Sequence, residues 1–249
     1  MNEEKKFYFT YNNLKLCGIL NKINETNEIV VICHARTSSK DSRPTTNLAN
    51  ELTKNNINNF RFDFVSCGES DGNYNEYTVS KMIKNLEDTL KMLKQDYNYT
   101  KFILIGCSMG GRIVSLINSE KYDVEKIILW YPALNYHSRL FNLPTKKEKI
   151  AKKQGFYTIE KGCKLSYEYF KDERKYLAYK NLYKLNIPMC FIHGTNDPYV
   201  SYKNTIKISK KIKNAKLILI NDADHGFHKK EHMQEAMKET IEFIKENKL

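Results

Sequence analysis

The stretch KFILIGCSMGG, residues 101–111, decides the fold of this chain. Its apolar run FILI, residues 102–105, has the length and the β-branched content of a buried strand. The pattern G-x-S-x-G follows at residues 106–110, and the sequence RIVSLI after it predicts a helix. A strand, this pattern and a helix in succession predict a tight turn that holds the Ser108 hydroxyl out at the end of the strand. The helix N-terminus beneath it offers free N–H groups to a developing negative charge.

A second match to the same pattern, GESDG at residues 68–72, predicts a different structure. The strand-like residues 59–64 precede it, but VSC intervenes and NYN follows, which is the composition of a loop rather than of a helix start. We therefore expect Ser70 to belong to a surface turn.

Strands and helices alternate along most of the chain. This alternation predicts a mostly parallel sheet with helices on both faces, because a crossover between parallel strands is right-handed and carries a helix. The pair Asn12-Asn13 between two short strands predicts a hairpin. The predicted strands are residues 6–11, 14–20, 28–33, 59–64, 102–105, 124–130, 188–193 and 216–220, and the predicted helices are residues 44–55, 79–93, 202–212 and 231–245.

Residues 135–182 interrupt the alternation. They are rich in tyrosine and lysine, include no convincing core strand, and are too long for an ordinary strand-to-helix connection. We therefore interpret residues 1–249 as one domain with residues 135–182 as an inserted cap. The cap tyrosines either shape a substrate pocket or pack the cap on its own core; they are Tyr136, Tyr157, Tyr167, Tyr169, Tyr176 and Tyr179.

Four polar stretches follow predicted strands at their carboxyl ends, where sites form in parallel sheets. A serine hydroxyl becomes a nucleophile when a base removes its proton, and that base needs an acid to hold its tautomer. The chain order Ser108, Asp197, His225 is one in which such triads occur on α/β sheets. We predict Asp197 as the orienting acid and His225 as the general base. The four polar stretches are residues 34–39, 106–110, 193–200 and 221–228.

The remaining candidate residues have simpler explanations. All of them except His137 are expected in a structural or a surface position rather than in the reaction. For His137, lining the site and lying on the surface are both open. Asp222 and Asp224 are expected in a local turn, His193 in support of the turn before Asp197, His34 as a buried structural histidine, His228 and His232 on an exposed helix face, and Cys107 packed inward.

Composition narrows the class of protein. The chain has 249 residues, 41% of them hydrophobic, and a net charge of +12. Its lysines are mixed with acidic residues along the chain, which indicates a solvated surface rather than a nucleic-acid-binding module. The six cysteines stand singly, which favours reduced thiols over disulfides or zinc. Without a leader or an apolar run of membrane-spanning length, the sequence predicts a cytoplasmic protein with no integral membrane association, and it leaves a homodimer open.

These motifs resemble those of the α/β-hydrolase superfamily, particularly the compact cytosolic carboxylesterases that include bacterial feruloyl (cinnamoyl) esterases and monoacylglycerol-lipase-like enzymes. The resemblance implies an oxyanion hole formed by the backbone N–H groups of Arg36 and Met109. It implies no metal and no organic cofactor. The matching stretches are HAR at residues 34–36, RFDF at 61–64, GESDG at 68–72, GCSMGG at 106–111, HGTND at 193–197 and DHGF at 224–227.

One position departs from the resemblance. Relatives usually carry His-Gly followed by a hydrophobic or small residue, where this chain has Ala35 and Arg36. The Arg36 side chain either binds an anionic group of the substrate or turns to solvent while only its N–H group takes part. The sequence leaves both alternatives open.

The triad and the resemblance together favour a serine hydrolase that cleaves small-molecule carboxylic esters through an acyl-enzyme. Small aromatic (hydroxycinnamoyl) or short-to-medium acyl groups are expected. A serine aminopeptidase, an amidase or a thioesterase of the same fold would use the same residues. A non-catalytic binding protein is a further alternative, but it would be expected to lack a triad member, and none is missing.

Overall fold

An eight-stranded sheet forms the centre of the computed structural model, which describes residues 3–134 and 145–246. The strands are β1 (Glu3–Tyr11), β2 (Leu14–Lys22), β3 (Glu28–Cys33), β4 (Asn59–Phe62), β5 (Lys101–Cys107), β6 (Val124–Trp130), β7 (Phe156–Thr158), β8 (Lys164–Ser166), β9 (Met189–Gly194) and β10 (Ala215–Ile220). The sheet has the order β1-β2-β4-β3-β5-β6-β9-β10, and β7 pairs with β8 separately. β2 runs antiparallel to both of its neighbours, and all other neighbouring pairs in the sheet are parallel.

Helices cover both faces of this sheet, so the predicted fold class is confirmed. The helices are α1 (Arg43–Lys54), α2 (Val79–Tyr97), α3 (Met109–Val114), α4 (Lys146–Gln154), α5 (Tyr167–Glu173), α6 (Ala178–Leu182), α7 (Tyr202–Ser209) and α8 (Lys230–Lys245). Side chains alternate between the faces of a strand. Leu104 of β5 therefore joins the core under α2, α3 and α7, whereas Ile103 and Ile105 join the core under α1 and α8. Within the described ranges, every helix is too short or too polar to span a lipid bilayer.

The boundaries of the predicted elements hold closely, with one informative difference. Asn12 and Asn13 both have positive φ, 43° and 64°, which is the backbone that a two-residue hairpin turn requires. The strand predicted over residues 59–64 ends at Phe62 instead. The backbone N–H of Asp63 still donates to the carbonyl of Cys17 in β2 at 2.9 Å, while its carboxylate accepts the backbone N–H of Lys40 at 2.6 Å.

Residues 145–182 lie outside the eight-stranded sheet and contain α4 to α6, the β7–β8 pair and a 3-10 turn over Glu160–Gly162. We call residues 145–182 the cap segment. Asp172 of α5 accepts the backbone N–H of Ser80 at 2.7 Å, which ties the cap segment to the start of α2. The buried Arg112 of α3 donates to the backbone carbonyls of Glu173 and Tyr176, at 2.7 and 3.2 Å. The cap segment is thereby held on the helix that begins at Ser108.

The assignment of residues 135–182 as an inserted cap of a single domain stays a prediction. Residues 135–144 lie outside the described residues, and the candidate positions Tyr136 and His137 are among them.

Close packing of α3 against β3 fixes the turn after β5. A Cβ atom on Gly110 would lie 2.1 Å from the carbonyl oxygen of Cys33, and one on Gly106 would lie 2.5 Å from the carbonyl oxygen of Gly110. Neither position has room for a side chain. Ser108 between them takes φ 50° and ψ −106°, a conformation that non-glycine residues rarely adopt.

We expect Gly110→Ala to lower the free energy of unfolding by about 3 kcal/mol, because the added methyl group meets backbone that cannot move without separating α3 from β3. The matched control is Gly162→Ala, where φ is +74° but no atom lies within 4 Å of the new Cβ. Its cost should be only the backbone strain of about 1 kcal/mol. Urea unfolding followed by circular dichroism measures both, and equal losses would contradict the packing explanation.

Candidate active site

Ser108 occupies the turn between β5 and α3, at the carboxyl end of the sheet. Its backbone N–H donates to the carbonyl of Trp130 at 2.9 Å, and its own carbonyl accepts the N–H groups of Arg112 and Ala133 at 3.1 Å each. The residue is 8% exposed. The strained backbone of Ser108 is therefore held from three sides, and the serine has a fixed position.

Asp197 and His225, which the sequence assigned as a pair, lie in contact. Nδ1–H of His225 donates to Oδ2 of Asp197 at 2.6 Å. The Asp197 side chain is fully buried and the His225 side chain is 17% exposed. Because a carboxylate can only accept, the proton of the neutral ring lies on Nδ1, and Nε2 is left as a proton acceptor.

The Asp197 carboxylate accepts four hydrogen bonds in total. Besides His225, the ring of His193 donates to Oδ2 at 3.1 Å, and the backbone N–H groups of Tyr199 and Val200 donate to Oδ1 at 2.8 Å each. Burial raises the pKa of Asp197, but the hydrogen bonds from His193, His225 and Val200 outweigh it and hold that pKa well below its usual range. Asp197 is thus a carboxylate at neutral pH.

His193 has a closer relation to Asp197 than the sequence predicted. Its Nδ1 accepts the hydroxyl of Thr205 at 2.8 Å, so its proton lies on Nε2 and points to Asp197. The same Nε2–H also lies 3.1 Å from the carbonyl of Val200, so His193 supports the loop after Asp197, and support of the turn before Asp197 stays a prediction. The direct bond to the carboxylate was missed. His193 and Asp197 are four residues apart at the end of one strand, and this spacing is the feature of the sequence that could have predicted the bond.

Two tyrosine rings flank His225, and sequence reasoning assigned neither to the site. The buried ring of Tyr131 lies 4.5 Å from the His225 ring, centroid to centroid, and the ring of Tyr199 lies at 5.4 Å on an edge. Tyr199 is 67% exposed, which is unusual for an aromatic side chain. The carbonyl of Trp130 accepts the backbone N–H of Ser108, and the ring of the next residue, Tyr131, contacts the His225 ring. Residues 130 and 131 therefore lie between Ser108 and His225. The hydrogen bonds among the described residues do not include one from the Ser108 hydroxyl to His225.

The loop after β3 packs directly on the start of α3. Gly110 lies against the carbonyl groups of Cys33 and His34, which brings Arg36 to the same edge as Met109. Nε2 of the buried His34 accepts the N–H of Phe64 at 3.1 Å, and its Nδ1–H donates to the carbonyl of Ala35 at 2.7 Å. Burial lowers the pKa of His34, which keeps the ring neutral and able to accept. The prediction of a structural histidine is confirmed.

A buried lysine holds the other end of this loop. Lys40 is fully buried, and its ammonium group lies 2.7 to 3.1 Å from carboxylate oxygens of Asp41, Asp63 and Glu69. Burial lowers the pKa of Lys40, but the hydrogen bonds that its ammonium group donates to these carboxylates outweigh it and raise that pKa above its usual value. Hydrogen bonds from Lys40 and Lys6 lower the pKa of Glu69 to about 2. Both ends of the loop that carries Arg36 are therefore fixed.

The second G-x-S-x-G motif belongs to this structural region and not to the site. The Ser70 hydroxyl donates to the carbonyl of Asp63 at 2.8 Å and accepts the N–H of Cys17 at 2.9 Å. The turn is therefore present as predicted, with a half-buried serine that links it to β2.

One histidine prediction is wrong. His232 was expected on an exposed helix face, but it is buried, because α8 begins at Lys230 and turns residues 232, 233, 236 and 240 toward the sheet. His228 is exposed as expected, and its ring and N–H bond the Asp224 carboxylate at 2.8 and 2.9 Å. Asp224 is thus engaged in a local turn, as predicted.

Cys107, next to Ser108, is buried, and burial raises the pKa of its thiol to about 12. A thiol with so high a pKa is a poor nucleophile at neutral pH, which agrees with the predicted packing role. All six cysteines have free thiols. The described residues contain no group of histidine, cysteine and acidic side chains arranged to hold a metal ion.

The sheet, the turn at Ser108 and the buried Asp197–His225 pair define an α/β hydrolase. Residues 24–168, more than half of the chain, match the family described as Serine aminopeptidase, S33, and the chain belongs to that family. The predicted resemblance to the α/β-hydrolase superfamily is thereby confirmed.

The sequence is similar to that of the mouse protein Palmitoyl-protein thioesterase ABHD10, mitochondrial, with 25% identity over 186 residues, covering 68% of this chain and 59% of that protein. The chain thus spans about three fifths of the curated relatives that it first matches. The predicted cytoplasmic location stays a prediction.

Solved structures show the same fold. Est1E from Butyrivibrio proteoclasticus with ferulic acid bound has a TM-score of 0.81 at 21% identity, covering 96% of this chain and 100% of that one. Alpha/beta hydrolase domain-containing protein 10 from mouse has a TM-score of 0.76 at 19% identity, covering 96% and 98%. The Pyrococcus furiosus esterase Pf2001 has a TM-score of 0.74 at 22% identity, covering 98% and 92%.

We expect Asp197→Asn to destabilise the protein at pH 7, because an amide cannot accept all four hydrogen bonds. The folded pKa of Asp197 is depressed, so the unfolded chain takes up this proton first as the pH falls below about 4. The stability difference between wild type and variant should therefore be constant above pH 5 and shrink by up to about 1.4 kcal/mol per pH unit below pH 4.

Urea unfolding at pH 3 to 7 measures this difference. The exposed Asp96→Asn provides the matched control, whose difference from wild type should stay near zero at every pH. A difference between wild type and Asp197→Asn that grows as the pH falls would contradict a carboxylate stabilised in the folded protein.

Proposed function

We propose that this protein is a serine hydrolase of carboxylic esters, with Ser108 as nucleophile, His225 as general base and Asp197 as the acid that orients it. The observation that supports this most strongly is the 2.6 Å bond from Nδ1–H of His225 to a fully buried carboxylate. It leaves Nε2 of His225 as a proton acceptor beside the turn that carries Ser108, which is the tautomer that a serine nucleophile needs.

In the first step, the Ser108 oxygen attacks the ester carbonyl carbon while Nε2 of His225 takes the hydroxyl proton. The imidazolium that forms is stabilised by Asp197, whose depressed pKa keeps it anionic. The carbonyl oxygen becomes negatively charged and accepts the backbone N–H groups of Met109 and Arg36. Neither N–H group donates a hydrogen bond to another part of the chain that the structure describes, so both are available.

In the second step, His225 gives its proton to the leaving oxygen and the bond between the carbonyl carbon and that oxygen breaks. The alcohol departs and the acyl group stays on Ser108 as an ester. Water then attacks the acyl-enzyme with His225 again as base, and the carboxylic acid is released with Ser108 restored. The side chains and backbone of this site account for every proton transfer, so we propose no cofactor.

The acyl group is proposed to be a small aromatic or a short-to-medium chain. A cavity of about 140 Å³ beside Arg36 has the ring of Tyr77 in its wall, and Est1E, of the same fold, has been solved with ferulic acid bound. The wall tyrosines come from the loop before α2. Of the cap tyrosines, Tyr169 and Tyr179 are buried in the core and serve mainly to pack the cap segment.

Thioester hydrolysis is a second candidate, because the similar mouse sequence is named as a palmitoyl-protein thioesterase. The same residues would serve, with a thiol as leaving group. Because the family is named for a peptidase, amide hydrolysis is a third activity that a substrate panel should test.

Ser108→Ala should lower kcat for every substrate that the wild type hydrolyses by roughly 10⁴-fold or more, because the acyl-enzyme cannot form. The panel contains p-nitrophenyl esters from acetate to octanoate, methyl ferulate, butyryl and palmitoyl thioesters, and an aminoacyl p-nitroanilide. Ser70→Ala is the matched control within the second G-x-S-x-G motif and should keep kcat within about threefold. A fluorophosphonate probe should label the wild type and not Ser108→Ala. A folded wild type that hydrolyses nothing in the panel and takes up no probe would overturn the proposal.

The leaving group must lie beside His225, because it receives the proton from Nε2. The exposed ring of Tyr199 lies on that side, 5.4 Å from the His225 ring. Tyr199→Ala should therefore lower kcat/KM for 4-methylumbelliferyl butyrate roughly fivefold, about 1 kcal/mol of aromatic contact, mainly through KM. Methyl butyrate, which has no leaving-group ring, should be nearly unaffected. Tyr8, 52% exposed on β1, is the other strongly exposed tyrosine among the residues that the structure describes, and Tyr8→Ala should change kcat/KM for neither substrate. Equal losses on both esters in Tyr199→Ala would contradict leaving-group recognition.

A further inference from the structure

The side chains that line the cavity beside Arg36 carry an unusual balance of charge. It lies between the loops that follow β3 and β4 on one side and the β7–β8 hairpin of the cap segment on the other, and its volume is about 140 Å³. Two cationic side chains, Arg36 and Lys164, are in its lining, together with tyrosine, cysteine and aliphatic side chains. No carboxylate is among the described residues that line it.

Arg36 is an exposed residue, and its guanidinium group lies beside the cap segment. Its guanidinium carbon lies 6.0 Å from the ring centre of the buried Tyr169, a cation–π distance. The interaction with Tyr169 raises the pKa of Arg36, so the charge is permanent. The guanidinium group thus lines the cavity while the residue keeps contact with solvent, and we build on the first of the two alternatives that the sequence left open.

The two cations have no ion-pair partner within the described ranges. The carboxylates near Arg36 are those of Glu160 and Glu173, and Glu173 already bonds Arg112 at 3.3 Å. The ion pairs of the described residues include neither Arg36 nor Lys164. The Lys164 ammonium lies over the ring of Phe156 at 4.3 Å instead. Arg36 and Lys164 are both exposed residues in the lining of one cavity, and two like charges there attract an anion.

The cavity meets the proposed reaction at Arg36, which lines the cavity and also supplies one of the proposed oxyanion N–H groups. The leaving group must lie at His225 to receive its proton, and the carbonyl oxygen must lie at the N–H groups of Met109 and Arg36. An acyl chain that extends from the carbonyl on the side away from His225 would run along Arg36 toward its guanidinium. The cavity has the volume of roughly five water molecules, enough for a short chain and a terminal group.

We propose that the acyl group of the substrate ends in a carboxylate, so that the enzyme cleaves half-esters or half-thioesters of short dicarboxylic acids. Arg36 binds the carboxylate through its planar pair of N–H donors, and Lys164 adds a second positive charge. This inference rests on the proposed hydrolase function and narrows its substrate class.

The test compares two esters of matched shape, monomethyl glutarate and methyl 5-methylhexanoate, whose acyl chains end in a carboxylate and in a neutral branched group. We expect the wild type to prefer the anionic ester at least tenfold in kcat/KM. In Arg36→Gln the ratio of the two kcat/KM values should fall roughly 30-fold, which corresponds to the loss of a hydrogen-bonded charge pair. Arg36→Lys should recover part of that ratio, and Lys164→Gln should lower it about threefold.

Because Arg36 also supplies a backbone N–H group, the ratio is compared within each variant rather than the absolute rates between variants. Lys210→Gln removes an exposed charge from the residue after α7 and should leave both the rates and the ratio unchanged. Raising the ionic strength from 50 to 500 mM should lower the ratio for the wild type and not for Arg36→Gln.

Two results separate failure of this inference from failure of the proposed function. If neutral esters are hydrolysed and the ratio is the same in wild type and Arg36→Gln, the carboxylate site is wrong while the hydrolase stands. If no ester is hydrolysed, calorimetric titration of Ser108→Ala with monomethyl glutarate still tests the cavity. Binding that the further change Arg36→Gln removes supports the anion site, and absence of binding overturns it.

Discussion

The buried carboxylate of Asp197 is the constraint on which the rest of the site depends. A charge removed from water must be compensated by hydrogen bonds, and the Asp197 carboxylate accepts four of them. Three donors precede or follow Asp197 in the chain, and the fourth lies after the end of the next strand. One donor is the ring of His225, whose proton is thereby fixed on Nδ1. Another is His193, itself held by Thr205 of α7. The same bonds that make burial of the charge tolerable therefore also set the tautomer that the proposed chemistry requires.

The opposite wall of the site depends on a second buried charge. Lys40 ends the loop that carries Arg36, and three carboxylates surround its ammonium group. One of them, Asp63, also accepts the Lys40 backbone N–H, and Gly68 lies so close to it that a Cβ there would be 2.2 Å from its oxygen. Loss of one partner of a buried ion pair is far more destabilising than the net contribution of the pair. The loop is thus locked to the turn that holds Ser70, which explains the second G-x-S-x-G motif in structural terms.

Features that arise from local sterics or from the ends of parallel strands could be predicted from the sequence. The turn at Ser108 is one, because its glycines leave a clear pattern, and the approach of Asp197 to His225 is another, because adjacent parallel strands end at one edge. Features that depend on which face of a helix packs against the sheet could not be predicted from the sequence. His232 is buried because α8 begins at Lys230 and so sets the angle of every later residue. Lys40, Tyr131 and Tyr199 acquire their roles from partners distant in sequence, and no local pattern marks them.

The departure at Ala35-Arg36 gains its meaning from the position of the residue rather than from its charge alone. In the proposed mechanism, the Arg36 backbone N–H contacts the oxygen that becomes negative, while the side chain of the same residue enters the cavity on the acyl side. Binding of the acyl group to the guanidinium would therefore directly affect the position of the N–H group that stabilises the transition state. Binding energy from a remote part of a substrate accelerates a reaction only when it is coupled to the reacting atoms. A single residue that contacts both parts provides that coupling without any movement of the rest of the loop, which His34 and Lys40 hold at either end.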